Sequence, residues 1–354
     1  MTATSHYLVS ACYYSEEAGS ATREAITGMR TTVARSWSFK AHNEDTCGTR
    51  ADGAWVIDGA SALEPGPLLD GLPGPAWVST LAGAYLSEVD WDGQALRDVL
   101  VELIEHLIER GRRAGLVDAG TARSSGFPTA AISLVRQRGA LLDVCLLGDA
   151  PVVLSGFATP ASPAGADGPG GPGGPGGPGG QPMVLTDPQY DDVERELLGR
   201  VRASLDRGDD PATAYGRLHE TLLDHRRRRN TDAGSWILGD VPAAAAHARC
   251  LSMPLAGDAE VLICSDGFGR LVEPFGLVDG YGALLAAVRD GAAGELVERL
   301  RAVEAADPDR VHRPRFGASD DASVVHAIID PILDPGGADG SRSRSRSRSG
   351  SRRL

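Results

Sequence analysis

Apolar residues recur every three or four positions across residues 94–115. Leu96, Val99, Leu100, Leu103, Ile104, Leu107 and Ile108 fall on one stripe. That spacing predicts an amphipathic helix, and the stretch Gly111-Arg112-Arg113 suits its C-terminal end. Residues 75–89 repeat the rhythm through Trp77, Val78, Leu81, Tyr85 and Val89. A third helix opens at Asp187-Pro188, a capping aspartate followed by a proline at the first helical position. It carries Val193, Leu197, Leu198, Val201 and Leu205. A fourth covers 212–229, and its terminal run of arginines reads as a solvent-facing end. Strands are predicted at 129–135, 141–147 and 152–154. Turns at Arg138-Gly139 and Asp149-Ala150 would join them into an antiparallel meander. Further strands fall at 235–238, 261–264 and 323–329, and the apolar run Trp55-Val56-Ile57 ends abruptly in Asp58-Gly59. Strand blocks with short links, separated from helix blocks, favour a layered α+β fold over a doubly wound parallel sheet.

Composition narrows the class. The chain has 354 residues, 42% hydrophobic and 23% charged, ordinary values for a soluble globular protein. No run approaches the roughly 18 apolar residues of a membrane span. The first residues lack the basic start and apolar stretch of a signal peptide. Five cysteines without a C-x-x-C pair suggest reduced thiols and a cytoplasmic setting. The net charge is −13, and the tail at 341–354 carries arginines and no acid, so the body is more acidic still. That argues against nucleic acid as a partner. Residues 159–182 hold a Gly-Pro repeat with nothing to bury, and residues 331–354 end in a Ser-Arg repeat. Both read as disordered.

Four acidic positions share one context. Asp58 follows "WVI", Asp149 follows "DVCLLG", Asp266 follows "VLICS", and Asp320 in "SDDASVVHAII" precedes a strand. One Asp-Gly is a turn signal. Four carboxylates at strand ends can converge on one rim, where they would repel one another. No arginine or lysine lies inside these motifs, so a bound cation is the economical solution. All-oxygen ligation selects Mg²⁺ or Mn²⁺ over zinc, and the eight histidines show no zinc spacing. Two ions sharing a carboxylate acidify a bridging water, a chemistry suited to phosphate esters. The chain has neither a G-x-S-x-G elbow nor a G-x-x-x-x-G-K-[ST] loop. Cys145 and Cys264 lie in apolar strands and read as inert core residues.

The motifs "NED" (43–45), "VIDGAS" (56–61), "LLGDAPVVL" (146–154), "LICSDGF" (262–268) and "SDDASVV" (319–325) occur in this order. Together they resemble the metal-dependent serine/threonine phosphatases of the protein phosphatase 2C type. "FPTAAISLV" (127–135) is similar to that family's Gly-Thr-Thr strand, and "LTD" (185–187) to another of its motifs. The likeness spans about residues 40–330. It implies an α+β fold of two packed antiparallel β-sheets flanked by helices, an αββα sandwich, with a two-metal site at one edge. Residues 1–39 form a segment of unknown role, expected to pack on the core.

By the same resemblance, Asp58 would bridge two Mn²⁺ or Mg²⁺ ions and the Gly59 carbonyl would ligate one. Asp266 and Asp320 would hold the other. Glu44 would act through water, Asp45 would support it, and Asp149 would serve a looser third ion. Asp321 stands where the family often has asparagine. Ala60 stands where some members carry a histidine acid; His42 is a nearby alternative, read as a surface residue. Lys40, the only lysine in the chain, replaces an arginine that grips the phosphate in bacterial relatives. It can neutralise phosphate but not hold it bidentately. "GDA" for Gly-Asp-Ser, and no histidine after "LTD", mark a divergent member. The implied function is hydrolysis of phosphoserine and phosphothreonine in proteins phosphorylated by kinases. A pseudophosphatase or binding module, and a phosphatase of small metabolites, are the alternatives.

Overall fold

The computed structural model describes residues 28–116, 126–158 and 181–330, together with the backbone of Leu8–Ser10 and Tyr13–Tyr14. The Gly-Pro repeat and the Ser-Arg tail lie outside the described residues. The order is β1 (Leu8–Ser10), β2 (Tyr13–Tyr14), β3 (Met29–Ser38), β4 (Asp45–Thr49), β5 (Gly53–Gly59), α1 (Gly74–Glu88) and α2 (Leu96–Arg113). There follow β6 (Ala130–Arg138), β7 (Leu141–Leu147), β8 (Val152–Phe157), β9 (Met183–Leu185), α3 (Pro188–Asp206) and α4 (Pro211–Arg228). The chain closes with α5 (Ala244–His247), β10 (Arg249–Cys264), α6 (Asp266–Gly269), α7 (Gly280–Arg289), α8 (Ala293–Ala305) and β11 (Ala322–Ile329).

This is a mixed α+β fold, a large antiparallel sheet with flanking helices. Hydrogen-bonded strands run β1-β3-β11-β10-β7-β6-β5-β4-β2, with β8 and β9 branching from β10. Among the described strands only the β2–β4 pair is parallel. The expected pair of sheets is met as one continuous path, because β10 belongs to both halves. Its first half, from Arg249 to Pro254, pairs with β7, and its second half pairs with β11 on one side and β8 on the other.

Alternation along the strands sorts side chains between layers. On β5, Val56 joins a cluster shared with Val144, Val261, Ile263 and Val325, which fills the space between the halves. Its neighbours Trp55 and Ile57 point the other way, onto Trp77, Leu86, Leu100 and Ile104 of α1 and α2. On β10, Leu262 and Cys264 face α7 and α8 through Leu284, Leu285, Leu296 and Leu300. Strands buried on both faces read as unbroken apolar runs, which is how "AWVI" appears. Helix α2 has the expected buried stripe, with Asp98 in its first turn and arginines in its last, complementing the helix dipole.

Three expectations are corrected. The meander breaks after β7: β8 pairs with β10 and β9, not with β7. Gly148, at φ +103°, turns the chain from one half of the sheet to the other. Residues 235–238 make only an isolated bridge, Ala130 to Leu238, and no strand. The cysteines are not all free thiols. Cys145 and Cys250 are register partners on β7 and β10, with Cα atoms 4.1 Å apart, and are joined as a disulfide; Cys47 and Cys264 are buried and lie outside it. No helix among the described residues is long and apolar enough to cross a membrane.

Candidate active site

Antiparallel pairing puts Asp45 of β4 directly beside Asp58 of β5. Asp58 ends its strand, and the Asp266 amide, at the start of α6, donates to Asp58 Oδ2 at 3.2 Å. The turn after β7 delivers Asp149, and the residues before β11 deliver Asp320. Asp58, Gly59, Asp149, Asp266 and Asp320 line a single cavity of about 570 Å³. The carboxylates foreseen at separate strand ends therefore meet on one rim. Glu44 flanks it, its amide donating to Asp321 Oδ2 at 2.8 Å. Asp45 lies behind Asp58, its amide donating to Asn43 Oδ1 at 3.0 Å, among the buried serines Ser36, Ser265 and Ser323.

Two glycines allow this approach. A Cβ on Gly59 would lie 2.4 Å from the Glu44 carbonyl oxygen and 2.7 Å from that of Pro75. A Cβ on Gly267 would lie 1.9 Å from the Asp321 carbonyl oxygen. Since backbone crowds Gly59 on both sides, Gly59→Ala should cost about 1–3 kcal/mol. It should also weaken Mn²⁺ binding by displacing the Asp58 turn. Thermal melting and Mn²⁺ calorimetry check both effects.

The charge balance is partly internal. Lys40 Nζ donates to Ser61 Oγ and to Asp320 Oδ1, each at 3.0 Å, and to Glu44 Oε2; it lies 3.4 Å from Asp321 Oδ2. Burial disfavours the ammonium charge, but Asp320, Asp321 and Glu44 outweigh burial and raise its pKa. Arg270, buried one helical turn beyond Asp266, donates to Asp320 Oδ2 at 2.7 Å and lies 3.6 Å from Glu304. These cations draw the Asp320 pKa below the usual carboxylate value despite burial. They do not serve the rest. Burial, then Asp45, Asp266, Asp320 and Asp149, drive the Asp58 pKa well up. Asp45, Asp266 and Asp321 are raised too, chiefly by burial, and Asp149 is pushed up to about 8 by burial, Asp266 and Glu194.

The donor set fits a hard divalent ion. It is all oxygen, and carboxylate oxygens of Glu44, Asp320 and Asp321 lie within 4.8 Å of one another. Buried Asp45 Oδ2 and Asp321 Oδ1 have no hydrogen-bond partner. Asp58, Asp266 and Asp149 remain available on the cavity side; Lys40 already stands among Glu44, Asp320 and Asp321.

Sequence reasoning anticipated Lys40 and missed the arginines. The arginine run at 226–229 was expected to face solvent, and Arg227 and Arg228 do. Arg226 and Arg229 instead line the cavity. Arg226 Nη2 donates to the Ser61 carbonyl, and Arg229 Nη1 to Thr129 Oγ1 at 2.8 Å. Their separation of three residues, which puts them on one side of the helix end, was the available signal. Arg270 was signalled by its i+4 offset from Asp266. His42 is exposed and is not among the cavity-lining residues.

Helices α3 and α4 form an arm beside this cavity with a small core of their own, Leu197, Val201, Ala214 and Leu218. Each opens on a capping aspartate and a first-turn proline: Asp187 accepts from the Gln189 amide and Asp210 from the Thr213 amide. Tyr215 Oη donates to the Arg310 carbonyl at 3.0 Å and accepts from the Arg315 amide at 3.3 Å, tying the arm to the 310–316 loop. Asn230 ends α4 in the left-handed region, φ +56°, and its side chain accepts from the Ile237 amide at 2.8 Å.

Over most of its length the chain is similar to bacterial serine/threonine phosphatases of known structure. One is PstP/Ppp of Mycobacterium tuberculosis, 18% identical, covering 85% of this chain and 99% of that one, with a TM-score of 0.43. Another is the PstP catalytic domain in complex with two manganese ions, 16% identical, covering 85% and 99%, with a TM-score of 0.42. Stp1 of Staphylococcus aureus is 12% identical, covering 88% and 99%, with a TM-score of 0.45. No protein-family model and no curated protein matches the chain.

Proposed function

We propose that this protein is a divergent member of the phosphatase 2C type, a metal-dependent hydrolase of phosphoserine and phosphothreonine esters. On this reading the two halves of the sheet, joined through β10, are the packed sheets of an αββα sandwich. The observation that carries the proposal is the convergence of Asp58, Asp149, Asp266 and Asp320 on one cavity. Four separate motifs supply these carboxylates, and Lys40 and Arg270 leave most of their charge uncompensated.

When bound there, Mg²⁺ or Mn²⁺ supplies Lewis acidity and an acidified water for attack at phosphorus. Asp58, the Gly59 carbonyl, Asp266 and Asp320 would be the ligands, with Asp149 at the outer edge of the set. Glu44 and Asp45 would orient the site from behind, Glu44 fixed by Ser61 and Lys40. Substrates would be proteins modified by serine/threonine kinases.

Hydrolysis of an aryl phosphate, with Mn²⁺ and with chelator, tests the reading. Activity should require the metal and vanish on chelation; turnover that survives chelation would sink it. One observation favours a second reading, a binding module without turnover. Lys40 places a fixed cation among Glu44, Asp320 and Asp321, so part of the cluster is neutralised without an ion. A folded, Mn²⁺-binding protein inert toward both aryl phosphate and phosphopeptides would decide for it.

A further inference from the structure

We propose that His225, in the last turn of α4, is the general acid of this site and protonates the oxygen that leaves phosphorus. The inference rests on the function proposed above and adds the residue that delivers the departing proton.

In-line displacement fixes where such a group must stand. The half-buried carboxylates Asp58, Asp149, Asp266 and Asp320 meet on one rim of the cavity, and the attack on phosphorus comes from their side. The leaving oxygen then points away from them. It belongs to a protein, which a cavity of about 570 Å³ cannot enclose, so it faces the open side. His225 is exposed and lines this cavity, and no other histidine of the described residues does so.

The helix end that carries His225 is fixed. Arg226, the next residue, donates through Nη2 to the Ser61 carbonyl, which pins α4 to the turn that follows Asp58 and Gly59. Beyond the helix, the Asn230 side chain accepts from the Ile237 amide at 2.8 Å. Behind it, Ala214 and Leu218 pack on Leu197 and Val201 of α3. The imidazole itself is uncommitted, since it makes no hydrogen bond or ion pair among the described residues. Imidazole takes up and releases protons near neutral pH. Other donors nearby are less suited. Tyr190 Oη is spent on the Trp236 carbonyl, and burial pushes its pKa up. Lys40 Nζ is shared among Glu44, Ser61 and Asp320. Ala60 lines the cavity and has no proton to give.

The step balances without another reactant. Water adds to phosphorus, and the bond from phosphorus to the ester oxygen breaks. Its electron pair stays on that oxygen, which takes the proton of the imidazolium. The attacking water gives its proton up to solvent, and the exposed imidazole regains one from there. A serine or threonine alkoxide is a strong base and leaves poorly without a proton. Nitrophenolate is a stable anion and leaves readily. His225 therefore matters more for a phosphopeptide than for a nitrophenyl ester.

The test uses the full chain with Mn²⁺, a phosphoserine peptide and p-nitrophenyl phosphate. His225→Ala should lower kcat on the peptide about a hundredfold, with a fall at least about tenfold smaller on the nitrophenyl ester. His225→Gln, which keeps bulk and polarity but has no acidic proton, should match the alanine variant. Added imidazole should restore part of the peptide turnover in His225→Ala. Mn²⁺ affinity, read by calorimetry, should not change. Equal losses on the two substrates, peptide turnover that stays at the wild-type value, or full recovery in His225→Gln would overturn the proposal. If the alanine variant loses its melting transition, His225→Gln decides by the same ratio. A wild type inert toward both substrates sinks the proposed function and this residue with it. A wild type active on both, whose variants lose both equally, sinks this residue alone.

Discussion

Asp58→Asn should reduce metal-dependent hydrolysis by at least about a thousandfold, a loss of some 4 kcal/mol of transition-state stabilisation. The same substitution should raise the thermal midpoint of the metal-free protein. Asp58 is buried and repelled by Asp45, Asp266, Asp320 and Asp149, which is why its pKa stands so high. An asparagine keeps an oxygen for the Asp266 amide, 3.2 Å away, and removes the repulsion. Loss of activity with a gain in stability is the signature of a group held in place for chemistry rather than folding. Differential scanning calorimetry with chelator, beside the aryl phosphate assay, reads both. A midpoint that falls would show that Asp58 supports the fold. Activity within tenfold of wild type would remove Asp58 from the site.

Asp143→Ala should cost about 3–5 kcal/mol, because it strips a buried arginine of its counter-ion. Asp143 accepts from Arg136 and Arg138, each at 2.9 Å, and from Ser252 at 2.6 Å, so it clips β6, β7 and β10 together. Arg136 is buried and its Nε already lacks a partner. Burial alone would raise the Asp143 pKa, but Arg138, Ser252 and Arg136 overcome it and hold the value at about 2. A depressed folded pKa contributes stability that is complete above the unfolded value, near 3.9, and is lost as pH falls through the folded one. The difference in stability between wild type and Asp143→Asn should therefore be full at neutral pH. It should shrink between about pH 4 and pH 2. Urea melts across that range check it, and a constant difference would contradict the clip.

The carboxylates were legible in the sequence because each sits next to one end of an apolar strand, and a strand end has few places to go. The three-to-four spacing gave α2 and α3 nearly to their ends, and Asp187-Pro188 marked the start of α3. Other features carried weaker marks. Strand β3, "MRTTVARSWS", is half polar, and β4, "DTCGT", has almost no apolar residue, so neither shows as a strand. Helix α7 opens "GYG" and is largely apolar, without a polar face to mark its period. Asp149-Ala150 reads as an ordinary turn; only tertiary pairing reveals that the strand it opens, β8, pairs with the second half of β10 and not with β7. Arg226 and Arg229 were invisible for a related reason. A helix pattern tells which face is apolar, but not that the end of α4 bends over a site built from β5, α6 and the residues before β11.

Strand β11 pairs with β3 across almost the whole described chain, Ala322 opposite Trp37 and Ile329 opposite Met29. Lys40 and Glu44 reach the site from one end of that pairing, and Asp320 and Asp321 from the other. Contacts so distant along the chain form late in folding. During synthesis, then, a ribosome-bound chain that has not yet released β11 cannot assemble the carboxylate rim, whatever else has folded. Competence arrives only with β11, the last of the described strands, which also joins β3 to β10, so products truncated before it would lack an interior strand of the sheet as well as the chemistry.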